Sequence, residues 1–268
     1  QLLLIDGNSI VFRAFFAMHN QMDKFTNKDG LHTAAIYGFK LMLDHVLQNF
    51  KPDAALVAFD AGKVTFRTKM YDDYKGGRNK TPNELTEQIP YVRELIKDSG
   101  LHSYELANYE ADDIIGTLAK QADDAGYKTL IVTGDRDLTQ LASENTTVAV
   151  THKGVTDTEH YTPAHVEEKL GITPRQIIDM KALMGDSSDN YPGVTKIGEK
   201  TAIKLVKQFG SVEELYDHID DLKKSKMKEH LIEDEEVARQ CKTLATILQD
   251  APIKIGLDDL QYQGPQTD

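Results

Sequence analysis

Cysteine is nearly absent. Cys241 stands alone in 268 residues, so no internal disulfide can form, and a reducing compartment is the expected setting. Its spacing with Val237, Leu244 and Ala245 is that of a small core residue on a helix. With no second Cys or nearby His pair, it cannot anchor a zinc cluster. Long apolar runs are missing too. The longest are far too short to span a bilayer, which predicts no membrane partner, and Leu2 to Ile5 runs straight into Asp6, leaving no apolar signal segment. No internal repeat or low-complexity tract is present. Position 1 is not Met and the chain closes on a polar run, 261–268, as expected of a piece of a longer protein. Positive charge is in deficit: 31 Lys and Arg face 43 Asp and Glu, for a net charge of −12. Such a balance speaks against a polyanionic partner unless the charges are unevenly distributed.

The remaining composition, 40% hydrophobic and 28% charged, is that of an ordinary globular chain long enough for one large or two modest domains. Apolar runs at 2–6, 54–59 and 128–133 read as buried strands, with weaker candidates at 103–106 and 148–150. Between them lie helical spacings at about 7–16, 38–50, 85–98 and from Glu110 to about Ala122. Alternation of this kind predicts an α/β fold with a mostly parallel central sheet flanked by helices. After Thr162-Pro163 the pattern turns helical only, at 163–170, 174–184, 199–209, 211–219 and about 234–248. We therefore expect an α/β core over 1–164, a helical subdomain over 165–250, and a tail or linker over 251–268.

Acidic residues fall where such a fold would gather them. Asp6, Asp60 and the pair Asp135 and Asp137 close apolar strands, and the carboxyl ends of parallel strands share one edge. Glu110, Asp112 and Asp113 open a helix, where two or even three acids are ordinary favourable dipole partners. Asp186 and Asp189 stand in the turn Gly185-Asp-Ser-Ser-Asp-Asn-Tyr-Pro-Gly193. Each group alone has a plain explanation as a turn or cap residue. Nine carboxylates on one edge would repel one another unless cations intervened, and a hard all-oxygen donor set suits Mg²⁺ or Mn²⁺. Gathering nine acids at one site also leaves the rest of the chain close to neutral.

Basic residues concentrate in two places. Segment 62–80 carries Lys63, Arg67, Lys69, Lys75, Arg78 and Lys80. Its core, Tyr74-Lys75-Gly-Gly-Arg78, reads either as a soluble loop or as a phosphate-gripping element with Tyr71 or Tyr74 as a stacking platform. The second is Gly193-Val-Thr-Lys196-Ile-Gly198-Glu-Lys200-Thr201-Ala202. Its glycines could expose backbone N–H groups to phosphate, and Lys196, Lys200, Lys204 and Lys207 recur at helical spacing. Arg13 could equally reach a phosphate or pair with a carboxylate.

Taken in order, Leu4-Ile-Asp6-Gly-Asn, Ala58-Phe-Asp60, Tyr74-Lys-Gly-Gly-Arg78, Glu110-Ala-Asp-Asp113, Thr133-Gly-Asp-Arg-Asp137 and Gly185-Asp-Ser-Ser-Asp-Asn through Ala202 resemble the 5′ nucleases of the flap-endonuclease superfamily. Within it, the resemblance is nearest to the 5′–3′ exonuclease domain that opens bacterial DNA polymerase I. It covers nearly the whole chain. It implies a PIN-like core with a helical arch at about 62–95 and a helix-hairpin-helix motif at 185–210 gripping duplex DNA. Two Mg²⁺ or Mn²⁺ ions are implied, one near Asp6, Asp60, Glu110 and Asp112, the other nearer Asp113, Asp135, Asp137, Asp186 and Asp189. A K⁺ at the hairpin motif is implied as well. Lys75, Arg78 and Arg13 would act on the scissile phosphate, and Tyr74, Arg67, Gly193, Lys196, Gly198, Lys200, Thr201 and Lys204 would contact DNA. The implied substrate is nicked or branched duplex DNA with a single-stranded 5′ flap, or with an RNA primer. The implied enzyme is a cytoplasmic monomer with a polymerase domain following. A non-catalytic branched-DNA binding module and a PIN-like ribonuclease stand as alternatives.

Overall fold

The structure, a computed structural model, describes residues 1–17 and 26–265. Six strands form one sheet: β1 (Leu2–Asp6), β2 (Ala54–Ala58), β3 (His102–Tyr104), β4 (Thr129–Thr133), β5 (Thr146–Lys153) and β6 (Asp157–Tyr161), in the order β3-β2-β1-β4-β5-β6. All neighbours run parallel except β6, which pairs antiparallel with β5. β1, β2 and β4 are buried along their whole length, as strands covered on both faces must be. The two-residue side-chain period then splits each of them between two cores. Leu2, Leu4, Leu56 and Ile131 face one side, while Leu3, Ile5, Val57 and Val132 face the other.

The second face is covered by α1 (Gly7–Ala17), α2 (Ala34–Phe50) and α5 (Ile89–Asp98). Preceding α5 are two short helices, α3 (Phe66–Met70) and α4 (Asn83–Thr86). The first face carries α6 (Ala111–Asp124) and continues into α7 (Pro163–Leu170), α8 (Gln176–Met184), α9 (Glu199–Phe209), α10 (Val212–Asp217), α11 (Lys226–Glu233) and α12 (Glu235–Ala245). One unbroken apolar cluster runs from Leu4 through Ile115 and Leu183 to Leu244. The expected break near residue 164 is thus a change of architecture, with no gap in the core. Cys241 lies buried inside this cluster, as its spacing implied.

Two stretches depart from expectation. The helix expected over 85–98 is interrupted between Thr86 and Ile89, and Val92 and Ile96 are fully buried, so the second half of the expected arch belongs to the core. A helix not expected from the sequence, α11, is capped by Ser225, whose hydroxyl accepts from Lys228 N–H. Residues 251–265 form no loose tail. Leu260 is 1% exposed, Gln261 bridges Ala54, and Tyr262 N–H donates to the Asp53 carbonyl at 2.8 Å. Positions 266–268 of that stretch lie outside the described residues.

Candidate metal centre

Strand register assembles the first carboxylates. Asp6 pairs with Ala58, and Ile5 pairs with Val132, so Asp60 and Asp135 each stand two residues beyond the level of Asp6 on either side of it. Buried Asp6 accepts from the Thr133 hydroxyl at 2.8 Å. Asp60 accepts from Ala111 N–H at 2.7 Å and so seats the amino end of α6, an arrangement the helix dipole favours. Asp135 caps the following helical turn by accepting from Asp137 N–H at 2.9 Å. Asp186 and Asp189 come from the loop between α8 and α9, where Asp189 N–H donates to Asp186 at 3.0 Å. Oxygens of Asp137, Asp186 and Asp189 lie within 4.8 Å of one another. The helical unit and the sheet edge thereby share one acidic patch.

Two lysines stand inside that patch. Lys75 Nζ is bonded to Glu110, and Lys181 Nζ reaches Asp186 at 3.0 Å and Asp137 at 3.4 Å. Burial alone would raise the Glu110 pKa, but Lys75 and Arg67 beside it hold it below its usual value. Asp186 is likewise held low against burial, by the Asp189 N–H and by Lys181. The remaining acids are under-compensated. Burial, with Asp60 nearby, pushes Asp6 up to about 6. Burial and neighbouring carboxylates raise Asp135 to about 6, Asp137 to about 7 and Asp189 to about 6. Asp112 is driven well above its usual value by burial and by Asp6 and Asp135, and burial also raises Asp60. Buried oxygen donors that resist ionisation are a donor set that divalent cations fit.

Four residues sit elsewhere than expected. Arg67 was expected on DNA but is 2% exposed, forming a bidentate pair with Asp113 at 2.8 and 2.8 Å and a bond to Glu110. Its remaining donors satisfy the Leu244 and Thr246 carbonyls. Asp113 was expected to hold metal. It is fully buried, and its oxygens accept from Arg67, from Leu248 N–H at 3.0 Å and from Glu110 N–H at 3.1 Å, so its lone pairs are already committed. Tyr74 is 5% exposed with its hydroxyl on Glu110, and offers no face for stacking. Gly193 is buried at φ +65°, where a Cβ would collide with the Gly185 and Leu183 backbone. It locks the hairpin against α8 and leaves phosphate contact to others.

The other basic candidates remain accessible. Arg78 pairs with Asp189 at 2.6 Å while half exposed. Gly198 opens α9 with nothing near its Cβ position, and Lys196, Lys200 and Lys204 are exposed beside half-buried Thr201. Arg13 donates to the Gly154 and His152 carbonyls at the β5–β6 turn. Sequence reasoning missed Lys181, whose position in the last turn of α8 reads only as a cation complementing the helix dipole. It also missed Thr133 and Ser9, whose hydroxyls orient Asp6.

A sheet edge lined with buried carboxylates, backed by a helical hairpin unit, offers an all-oxygen donor set of the kind that divalent cations fit. Residues 1–171 match the family model of the 5′–3′ exonuclease N-terminal resolvase-like domain, and residues 172–268 match that of the 5′–3′ exonuclease C-terminal SAM fold. The chain belongs to this family. It is 59% identical over its full length to DNA polymerase I of Streptococcus pneumoniae, and 56% identical over 98% of its length to that of Bacillus subtilis. It spans 31% and 30% of those proteins. Among solved structures it resembles the 5′-exonuclease of bacteriophage T5 with bound zinc, at 23% identity and a TM-score of 0.77, covering 91% of this chain and 88% of that one. The catalytic core of Rad2 in complex with DNA substrate aligns at 19% identity and a TM-score of 0.59, over 97% and 83%. These likenesses establish the fold: a mixed α/β sheet joined to a SAM-like helical unit.

Proposed function

We propose that this chain is a structure-specific 5′ nuclease, a 5′–3′ exonuclease and 5′-flap endonuclease that hydrolyses DNA phosphodiesters in replication and repair. The observation that carries the reading is the convergence of acids from three strand ends, α6 and the α8–α9 loop. Asp6, Asp60, Asp112 and Glu110 would hold one Mg²⁺ or Mn²⁺, and Asp135, Asp137, Asp186 and Asp189 the other. When bound, such ions supply a water of lowered pKa and charge to meet a leaving 3′ oxygen. The chain's own residues do the rest. Lys75 and Arg78, at the rim of the acids, neutralise a phosphodiester drawn to the site. Gly198 and the lysines of α9 grip duplex backbone without reading bases, where a K⁺ would also bind. We place the enzyme as a monomer in the bacterial cytoplasm, joined to a polymerase domain, acting on nicked or flapped DNA and on RNA primers.

Cleavage of a 5′-flap duplex labelled on the flap strand tests this reading. Mg²⁺ should release the flap near the junction, whereas EDTA or Asp135→Ala should abolish release without abolishing binding. Tight binding with no cutting under any metal would leave a branched-DNA binding module in its place.

A further inference from the structure

A polar cavity of about 210 Å³ opens between α1, the end of β4 and the β5–β6 edge. Arg13, Gly134, Arg136, Thr151, His152 and Glu159 line it. We infer that it binds a phosphate group of the nucleic acid, at a subsite separate from the carboxylates. The inference rests on the nuclease reading for the source of that phosphate, but not for the chemistry of the cavity.

The cavity is a built one. Arg13 is fixed by the His152 and Gly154 carbonyls, which leaves its Nη1 without a protein acceptor among the described residues. Exposed Arg136 forms no ion pair among them either, although Glu159 shares its cavity. The Glu159 charge is met from outside, by Lys169 at 3.1 Å and by the His165 ring at 2.9 Å. Thr151 is 6% exposed and its hydroxyl has no hydrogen-bond partner among the described residues, a costly state for a buried polar group. The floor is Gly134. A Cβ there would lie 3.4 Å from the Thr151 hydroxyl and 3.6 Å from that of Ser9, so the missing side chain keeps the space open.

Two guanidinium groups and an unsatisfied hydroxyl suit a tetrahedral oxyanion. Among the described residues Val150 is the one aliphatic side chain on the wall, and no Phe, Tyr or Trp lines it. The cavity is also tied to the acids. Gly134 N–H donates to the Ser9 hydroxyl at 2.9 Å, which lies 3.3 Å from the Thr133 hydroxyl, and Thr133 in turn donates to Asp6. This chain of hydrogen bonds joins the floor of the cavity to the carboxylate edge.

The test compares flap cleavage under Mg²⁺ by wild type, Thr151→Val and Arg136→Gln, with melting temperatures to establish folding. Binding of inorganic phosphate to the metal-free proteins is followed by phosphorus NMR line broadening. Each variant should raise KM by about 5- to 20-fold with kcat within about twofold, as expected when one charge-assisted or buried hydrogen bond is lost. Each should also abolish the broadening. If a terminal phosphate is the ligand, the KM effect vanishes on a 5′-hydroxyl flap. If an internal phosphodiester is the ligand, the effect persists there and vanishes with one neutral methylphosphonate linkage. Unchanged KM overturns the proposal, whether or not broadening is lost, as does a fall in kcat at constant KM. A wild type that broadens phosphate but never cuts would remove the nuclease reading and leave the pocket standing.

Discussion

Arg67 and Lys75 sit eight positions apart in one basic stretch and both contact Glu110, yet their burial assigns them different work. Arg67 is sealed between α6 and the Leu244–Thr246 carbonyls, so its guanidinium holds the helix start to the end of α12. Arg67→Ala would strand buried Asp113 and remove one of the two cations on Glu110, and should cost about 3–5 kcal/mol in urea unfolding. Lys75→Ala, at a partly exposed position, should leave stability near wild type and lower kcat by about 10²- to 10³-fold. If the two variants lose stability equally, the division is wrong. Asp113 and Asp135 divide in the same way. Asp113→Asn weakens the Arg67 pair and should lower the melting temperature. Asp135→Asn removes a charge that burial disfavours, keeps an acceptor for Asp137 N–H, and should raise the metal-free melting temperature while abolishing cleavage. Nothing in the sequence separated these pairs. Residue type and spacing place an Arg or an Asp near a site, but only tertiary contacts decide whether it faces solvent or the core.

At the scale of elements, what was legible followed hydrophobic pattern. β1, β2 and β4 are short apolar runs buried on both faces, and α6 and α9 carry clear apolar stripes, so each was readable within a residue or two. β6 and α11 were not. Asp157–Tyr161 is a polar edge strand fixed by pairing to β5, and Lys226–Glu233 buries little beyond Leu231. The stretch 251–265 was misread for a related reason. Its order comes from long-range bonds, Ala251 N–H to the Thr117 hydroxyl at 3.0 Å and Tyr262 N–H to Asp53, that no local signal announces. Ending the chain after Asp250 would uncover Ala54, Thr117 and the bed of Leu260. Such a truncation should lower the melting temperature by several degrees and speed amide exchange in β2. A truncated chain that melts with the full one would return the stretch to the status of a linker.

For the molecule as a whole, the acids were the most legible feature, because strand-end position depends only on finding the strands. Their energetic consequence was not legible, since it arises from burial. Asp6, Asp135 and Asp189 near 6, and Asp137 near 7, all lie above the unfolded value of about 3.8. Between those limits the folded state binds more protons than the unfolded one, so stability falls as pH rises. Glu110 and Asp186 are held low and oppose this only below their ordinary carboxylate range. Their stabilisation is already complete by about pH 5. In EDTA the melting temperature should therefore be highest near pH 5 and decline steadily to pH 8, more shallowly in Asp137→Asn. Mg²⁺ or Mn²⁺ should abolish the decline, because ions that bind only the folded, ionised acids stabilise it by mass action. A metal-free melting temperature that rises from pH 5 to 8 would mean that Lys75 and Lys181 already compensate the cluster, and that the site has no electrostatic need of a cation.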